Sequence, residues 1–171
     1  LLRIGGNDWR VIVGYGHSPE HAALHCAELG VLISGDMLLP RISTNVSVMS
    51  SNPDGDPLGW FLDSVERFTE LPADTLVLPS HGKPFRGLHA RAAQLAAHHE
   101  ERCAALLAVL DTPKNACELI PTLFGRPLDA HQTMFAMGEA IAHLNYLQHA
   151  GRVRRTTGAD GIFRFTTTGK D

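Results

Sequence analysis

Three residues could do chemistry together: His17, Asp36 and His81. Each follows a short apolar run, His17 behind Val11-Ile12-Val13, Asp36 behind Val31-Leu32-Ile33 and His81 behind Leu76-Val77-Leu78. Loops at strand ends commonly carry reactive groups on a rigid sheet. Neutral imidazole and carboxylate are also the ligands taken by zinc, iron or manganese when the metal must keep a position open for water. The pattern reads as part of a metal site.

Those loops need strands behind them. The run at 1–4, the turn cluster "GGND" and the stretch 9–13, rich in aromatic and β-branched residues, predict a hairpin. "HAALHCAELGVLISGD" could be helical over 20–29, but Gly30 and Val31-Leu32-Ile33 favour a second hairpin turning at Leu29-Gly30. Asp56 is an expected N-cap and Pro57 the first residue of a helix on which Phe61, Val65 and Phe68 repeat at helical spacing. "NPDGD" before it is a turn, since it lacks the later glutamate of a calcium loop. A strand over "DTLVLPSHG" ends at His81, and a broad apolar face predicts a long helix over 88–110. Beyond it, Thr112 and Pro113 offer the start of a helix to about Phe124, and Asp129 caps another running to Ala150. "RVRRTT", "GADG" and "IFRFTT" then form a hairpin, completing the outline of a winged helix.

Composition excludes several classes. With 171 residues and 44% apolar content the chain has enough material for a core, and its net charge of −3 gives no basic field for nucleic acid or anionic membrane. No apolar run approaches the roughly 18 residues that span a bilayer. Cys26, Cys103 and Cys117 form no Cys-x-x-Cys pair, which fits a reducing cytoplasm. Cys103 has no activating base beside it and reads as packing, as do Met134, Phe135 and Met137. His98 and His99, on the long helix, read as surface or interface residues.

"YGHSPEH", "LISGDMLL" and "LPSHGKPF", in this order, resemble the third, fourth and fifth metal-binding motifs of the metallo-β-lactamase superfamily, which includes glyoxalase II-like thioesterases and metal-dependent ribonucleases. The resemblance covers about residues 1–110, and the part after Thr112 is similar to the winged-helix tail of one branch. It implies an α/β chain: the C-terminal half of an αββα metallo-β-lactamase fold over 1–111, then a winged-helix-like domain over 112–171. It also implies that His17 completes a first metal site, that Asp36 is the catalytic, bridging carboxylate, and that His81 belongs to a second site. Zinc is the implied metal, as two ions in the intact enzyme, with iron or manganese as substitutes of the same ligand chemistry. His21 is then a residue that orients a ligand or steadies the turn. Arg41, in the "LPRISTNVS" loop, and Lys83 and Arg86, close after His81, would meet an anionic group of a small-molecule substrate. The implied reaction is attack by a metal-bound hydroxide on an ester, thioester, lactam or phosphodiester.

The superfamily's His-x-His-x-Asp-His motif is absent from these residues. Neither metal site is therefore complete, and the expectation is a part of a larger metallo-hydrolase, close to inactive alone. A sheet face left uncovered by the missing half would drive homo-oligomerisation. The rival reading is a nucleic-acid-binding winged helix or a ribonuclease. Residues 112–171 carry 7 Lys and Arg against 5 Asp and Glu, but the recognition helix over 129–150 has no Lys or Arg with which to grip phosphate. Nucleic acid is accordingly not the expected partner, and no membrane partner is expected.

Overall fold

The computed structural model describes residues 1–169. They fall into two compact units, one from Leu1–Asn45 and Gly59–Ala97, the other from Val46–Leu58 and His98–Asp171.

The first unit is built on a five-stranded sheet in the order β1 (Leu2–Ile4), β2 (Asn7–Gly14), β3 (His21–Cys26), β4 (Val31–Gly35), β5 (Leu76–Pro79). The first four strands form an antiparallel meander, and β5 joins β4 in parallel. The hairpin reading of 20–35 is correct: Gly30 turns at a φ of +61°, a region that side chains resist, and Val31 pairs with Cys26. Register divides the sheet into two faces. Ile12 and Ala23 form one buried pair, and His25, Leu32 and Val77 form a buried row. The alternate row runs Val11, Leu24, Ile33, Leu78, and on that face Val13 and Ile33 are each 39% exposed. Helix α1 (Pro57–Glu66) begins at the expected proline and continues as a 3-10 turn, and Phe61, Val65 and Phe68 are buried as their spacing predicts.

Helix α2 (Leu88–Leu107) contributes residues to both units and stops three residues short of the expected end. In the second unit follow α3 (Ala116–Leu123), α4 (Ala130–His149) and the hairpin β6 (Val153–Thr157) and β7 (Phe163–Thr167). Asp129 caps α4 by accepting from Gln132 N at 2.8 Å, as expected. The start of α3 is not where Thr112 and Pro113 suggest. Lys114 is drawn into extended pairing with Phe165, donating at 3.1 Å and accepting at 2.8 Å, so the helix begins after it. Asn115 is the true cap, in a capping box with Glu118 at 3.1 and 2.8 Å.

Three other expectations are corrected here. His99 is buried, not at the surface, because its Nδ1 lies 3.1 Å from His143 Nε2. Met134 and Phe135 are exposed, not core: Ala136, Ala140, Leu144 and Leu147 form the buried stripe of α4 and turn those two outward. Strand β5 ends at Pro79, two residues before His81, although Ser80 N still donates to Gly35 O at 3.1 Å. Cys103 is fully buried, and burial pushes its thiol up to about 12, in accord with a packing role.

Candidate metal-binding edge

Topology brings the three reactive residues together. Strands β2, β4 and β5 run in the same direction, so the loops after them leave one edge of the sheet. The start of the antiparallel β3 lies at that edge too, and there His21 pairs with Gly14. His17, His21, Asp36 and His81 therefore gather from four separate points of the chain.

Asp36 is the centre. His17 Nε2 lies 3.6 Å from its Oδ2, and His81 Nε2 lies 3.4 Å from its Oδ1. Ser80 donates its hydroxyl to Oδ1, and Thr44 donates to the Asp36 carbonyl. The Ser80 hydrogen bond is the main cause holding the Asp36 carboxyl below its usual range, with His17, His81 and His21 acting in the same direction against burial. His17 is oriented from behind, since its Nδ1 sits 2.9 Å from the Asn45 carbonyl. A carbonyl only accepts, so Nδ1 carries a proton, and in the neutral ring Nε2 turns a lone pair toward Asp36. Two acceptors facing one another call for a proton or a cation between them.

The distances discriminate further. N–H···O bonds lie at about 2.7–3.2 Å. Ligands about 2.0–2.1 Å from a tetrahedral zinc stand ~3.3 Å from each other. Both imidazole-to-carboxylate separations match the second figure better than the first, and they use different oxygens. The donor set, two imidazoles around one carboxylate, is of the kind that zinc, iron and manganese take. Among the described residues no group of three His, Cys, Asp or Glu side chains converges to hold a metal by itself. The fit is pairwise, and further ligands would be needed to close either site.

His21 stands beside this cluster. Its ring occupies the space where a side chain at position 35 would be, since a Cβ on Gly35 would sit 2.4 Å from His21 Nε2. Its Nδ1 is buried without a hydrogen-bond partner, and burial, reinforced by His17, lowers its pKa. Arg41 and Lys83 line a pocket of about 650 Å³ together with His81 and Phe85. Arg86 is not brought there: its guanidinium donates to the Asp74 carbonyl instead. Gly82 closes the pocket tightly, because a Cβ there would lie 2.7 Å from Pro40 Cγ.

Several positioning groups escape a sequence reading. Ser80 is adjacent to His81 in "LPSHG", yet nothing in that string aims its hydroxyl at Asp36. Asn45 acts through its backbone carbonyl, which leaves no trace in residue type. Arg91 fixes the Arg41 loop, donating to the carbonyls of Leu39 and Ile42 at 2.7 and 2.9 Å.

Residues 1–81 match the family model of the metallo-β-lactamase superfamily, and 103–168 match that of the metallo-β-lactamase-like C-terminal domain. The chain is 28% identical over 150 residues to the probable metallo-hydrolase YqjP of Bacillus subtilis (strain 168), covering 84% of this chain and 46% of that protein. Among solved structures, a β-lactamase domain protein from Burkholderia ambifaria is 52% identical, with a TM-score of 0.95 over 98% of this chain and 50% of that one. A metallo-β-lactamase family protein from Thermus thermophilus is 38% identical, with a TM-score of 0.83 over 97% of this chain and 51% of that one. The chain spans about half the length of these relatives. Motif order, backbone and sequence agree, and the chain belongs to the metallo-β-lactamase superfamily.

Proposed function

We propose that this chain carries part of the active site of a metal-dependent hydrolase. His17, Asp36 and His81 would hold its metal, zinc by the ligand chemistry, with Asp36 the carboxylate common to both histidines, and further ligands would have to come from beyond these side chains. The observation that carries this reading is the pair of imidazole Nε2 atoms set against separate oxygens of one carboxylate at 3.6 and 3.4 Å. When bound, the metal supplies Lewis acidity and lets water ionise near neutral pH, which suits ester, thioester, lactam and phosphodiester hydrolysis.

The chain's own residues have distinct tasks in this reading. The Asn45 carbonyl keeps His17 in the tautomer that presents Nε2, and Ser80 holds Asp36 ionised and oriented. His21 packs behind Gly35 and steadies the turn that carries Asp36. Arg41 and Lys83 offer positive charge beside His81, where an anionic substrate group would sit. Residues 1–111 act as part of an αββα domain whose apolar sheet face, with Val13 and Ile33, is covered by association. Residues 112–171 act as a winged-helix-like domain with a structural role. What favours that role over nucleic-acid binding is that Arg152 and Arg164 are already paired with Glu100 and Asp160, and that the helix over 129–150 has no Lys or Arg.

Zinc titration of the full chain by calorimetry tests the reading. Binding that is weak in the chain alone and lost in Asp36→Ala is expected. Equal zinc binding by Asp36→Ala and wild type would overturn it.

A further inference from the structure

The second unit contains a pocket that the metal edge does not explain. It has a volume of about 610 Å³, within the range of small-molecule sites, and is lined entirely by residues of that unit. Met49, Met137, Ile141, Phe163 and Phe165 form its apolar wall. Met49 and Phe163 rank among the large apolar side chains left exposed, 56% and 47% respectively, and both belong to this wall. Thioethers adapt to irregular ligands and make favourable contacts with aromatic rings.

Among the polar residues that interrupt the wall, Asn145 and Arg155 matter most. Asn145 is 2% exposed and donates from Nδ2 to the carbonyls of Pro53 and Gly55, at 3.0 and 2.8 Å. Both amide hydrogens are thereby used, and its Oδ1 has no hydrogen-bond partner among the described residues. Among the described residues Oδ1 is not one of the fully buried polar atoms left unpaired, so it is reachable by water and by a ligand's donor. Arg155 is held in place by Asp54 at 2.7 Å and by the face of Phe163, whose centroid is 4.4 Å from the guanidinium carbon. Only its Nη1 is engaged by that carboxylate, so the rest of the fork faces no acidic partner among the described residues.

We propose that this pocket binds an aromatic anion carrying a hydrogen-bond donor. The rings lie against the Met and Phe wall, the anionic group meets the Arg155 guanidinium, and the donor reaches Asn145 Oδ1. The site is independent of the His17, Asp36 and His81 assignment.

Anilinonaphthalene sulfonate is a suitable probe, since it joins aromatic rings, one N–H and one sulfonate. Its uncharged parent, phenylnaphthylamine, serves as the comparison. Fluorescence titration of the full chain is expected to give one saturable site that Ile141→Trp removes by filling the pocket. Arg155→Gln is expected to weaken the sulfonate about tenfold and leave phenylnaphthylamine unchanged. Circular dichroism checks the fold of each variant, and if Ile141→Trp unfolds, the Arg155→Gln comparison decides. An absent signal, a signal unaltered in a folded Ile141→Trp, or equal weakening of both dyes by Arg155→Gln would overturn the proposal.

Discussion

Acid should loosen the second unit through one pair of imidazoles. His99 and His143 are both buried, and His143 Nδ1 lies 2.8 Å from the Glu139 carbonyl while its Nε2 meets His99 Nδ1 at 3.1 Å. The carbonyl accepts from His143 Nδ1, so His143 Nε2 must accept from His99, and both rings are neutral. Burial is the main cause that pushes His99 down to about 3 and His143 to about 4, with the neighbouring positive charge of Arg102 acting in the same direction. In the unfolded chain both return toward 6.5. Below that value the unfolded state takes up protons that the folded state refuses, so stability is complete above about pH 6.5 and falls until the folded values are reached. Integrating over that difference, each imidazole loses about 2 kcal/mol between pH 7 and pH 5, and the coupled pair roughly 2–4 kcal/mol. The test is urea unfolding at both pH values for wild type and for the His99→Leu/His143→Leu double variant. Glu139, whose carboxyl is raised by burial, and Arg102 remain in both proteins, so the difference in pH dependence isolates the imidazoles. If the double variant loses as much stability as wild type on acidification, the assignment of buried neutral rings is wrong.

Other consequences are quicker to check. Gly35→Ala places a side chain at a φ of +55° and against the His21 ring, and should destabilise the first unit by at least about 1–2 kcal/mol in urea melts. Asn115→Ala removes one half of the capping box and should cost about 1 kcal/mol in the same urea melts. A thiol reagent should label Cys117 in the native chain and reach the buried Cys26 and Cys103 only on unfolding, which mass spectrometry of labelled peptides reads directly. Light scattering at micromolar concentration should find a dimer or larger species, and a monodisperse monomer would count against association through the apolar sheet face.

The strands, α1 and α4 were legible in the sequence because their signals are local: β-branched runs, the Pro57 start, the Asp129 cap. That His17, Asp36 and His81 come together was legible for the same reason, as each follows an apolar run. What failed was non-local. The start of α3 depends on Lys114 pairing with Phe165, far along the chain, and a propensity reading sees only Thr112 and Pro113. His99 reads as polar and exposed until His143 is placed beside it. Arg86 lies close to His81 in sequence, as Lys83 does, but chain proximity does not say which way a long side chain turns, and it turns to Asp74. Ser80 and the Asn45 carbonyl gain meaning only once Asp36 and His17 stand next to them.

The second unit borrows residues 46–58, from the loop after β4 through the first two residues of α1, and this matters for anyone recombining relatives. The stretch matched as a C-terminal module, 103–168, looks portable as one piece. Yet Asn145 grips Pro53 and Gly55, while His149 and Arg155 both reach Asp54. A chimera that transplants the tail alone would leave those anchors facing a foreign loop, whereas one that carries 46–58 along keeps them. As a packed unit, the module is discontinuous in sequence.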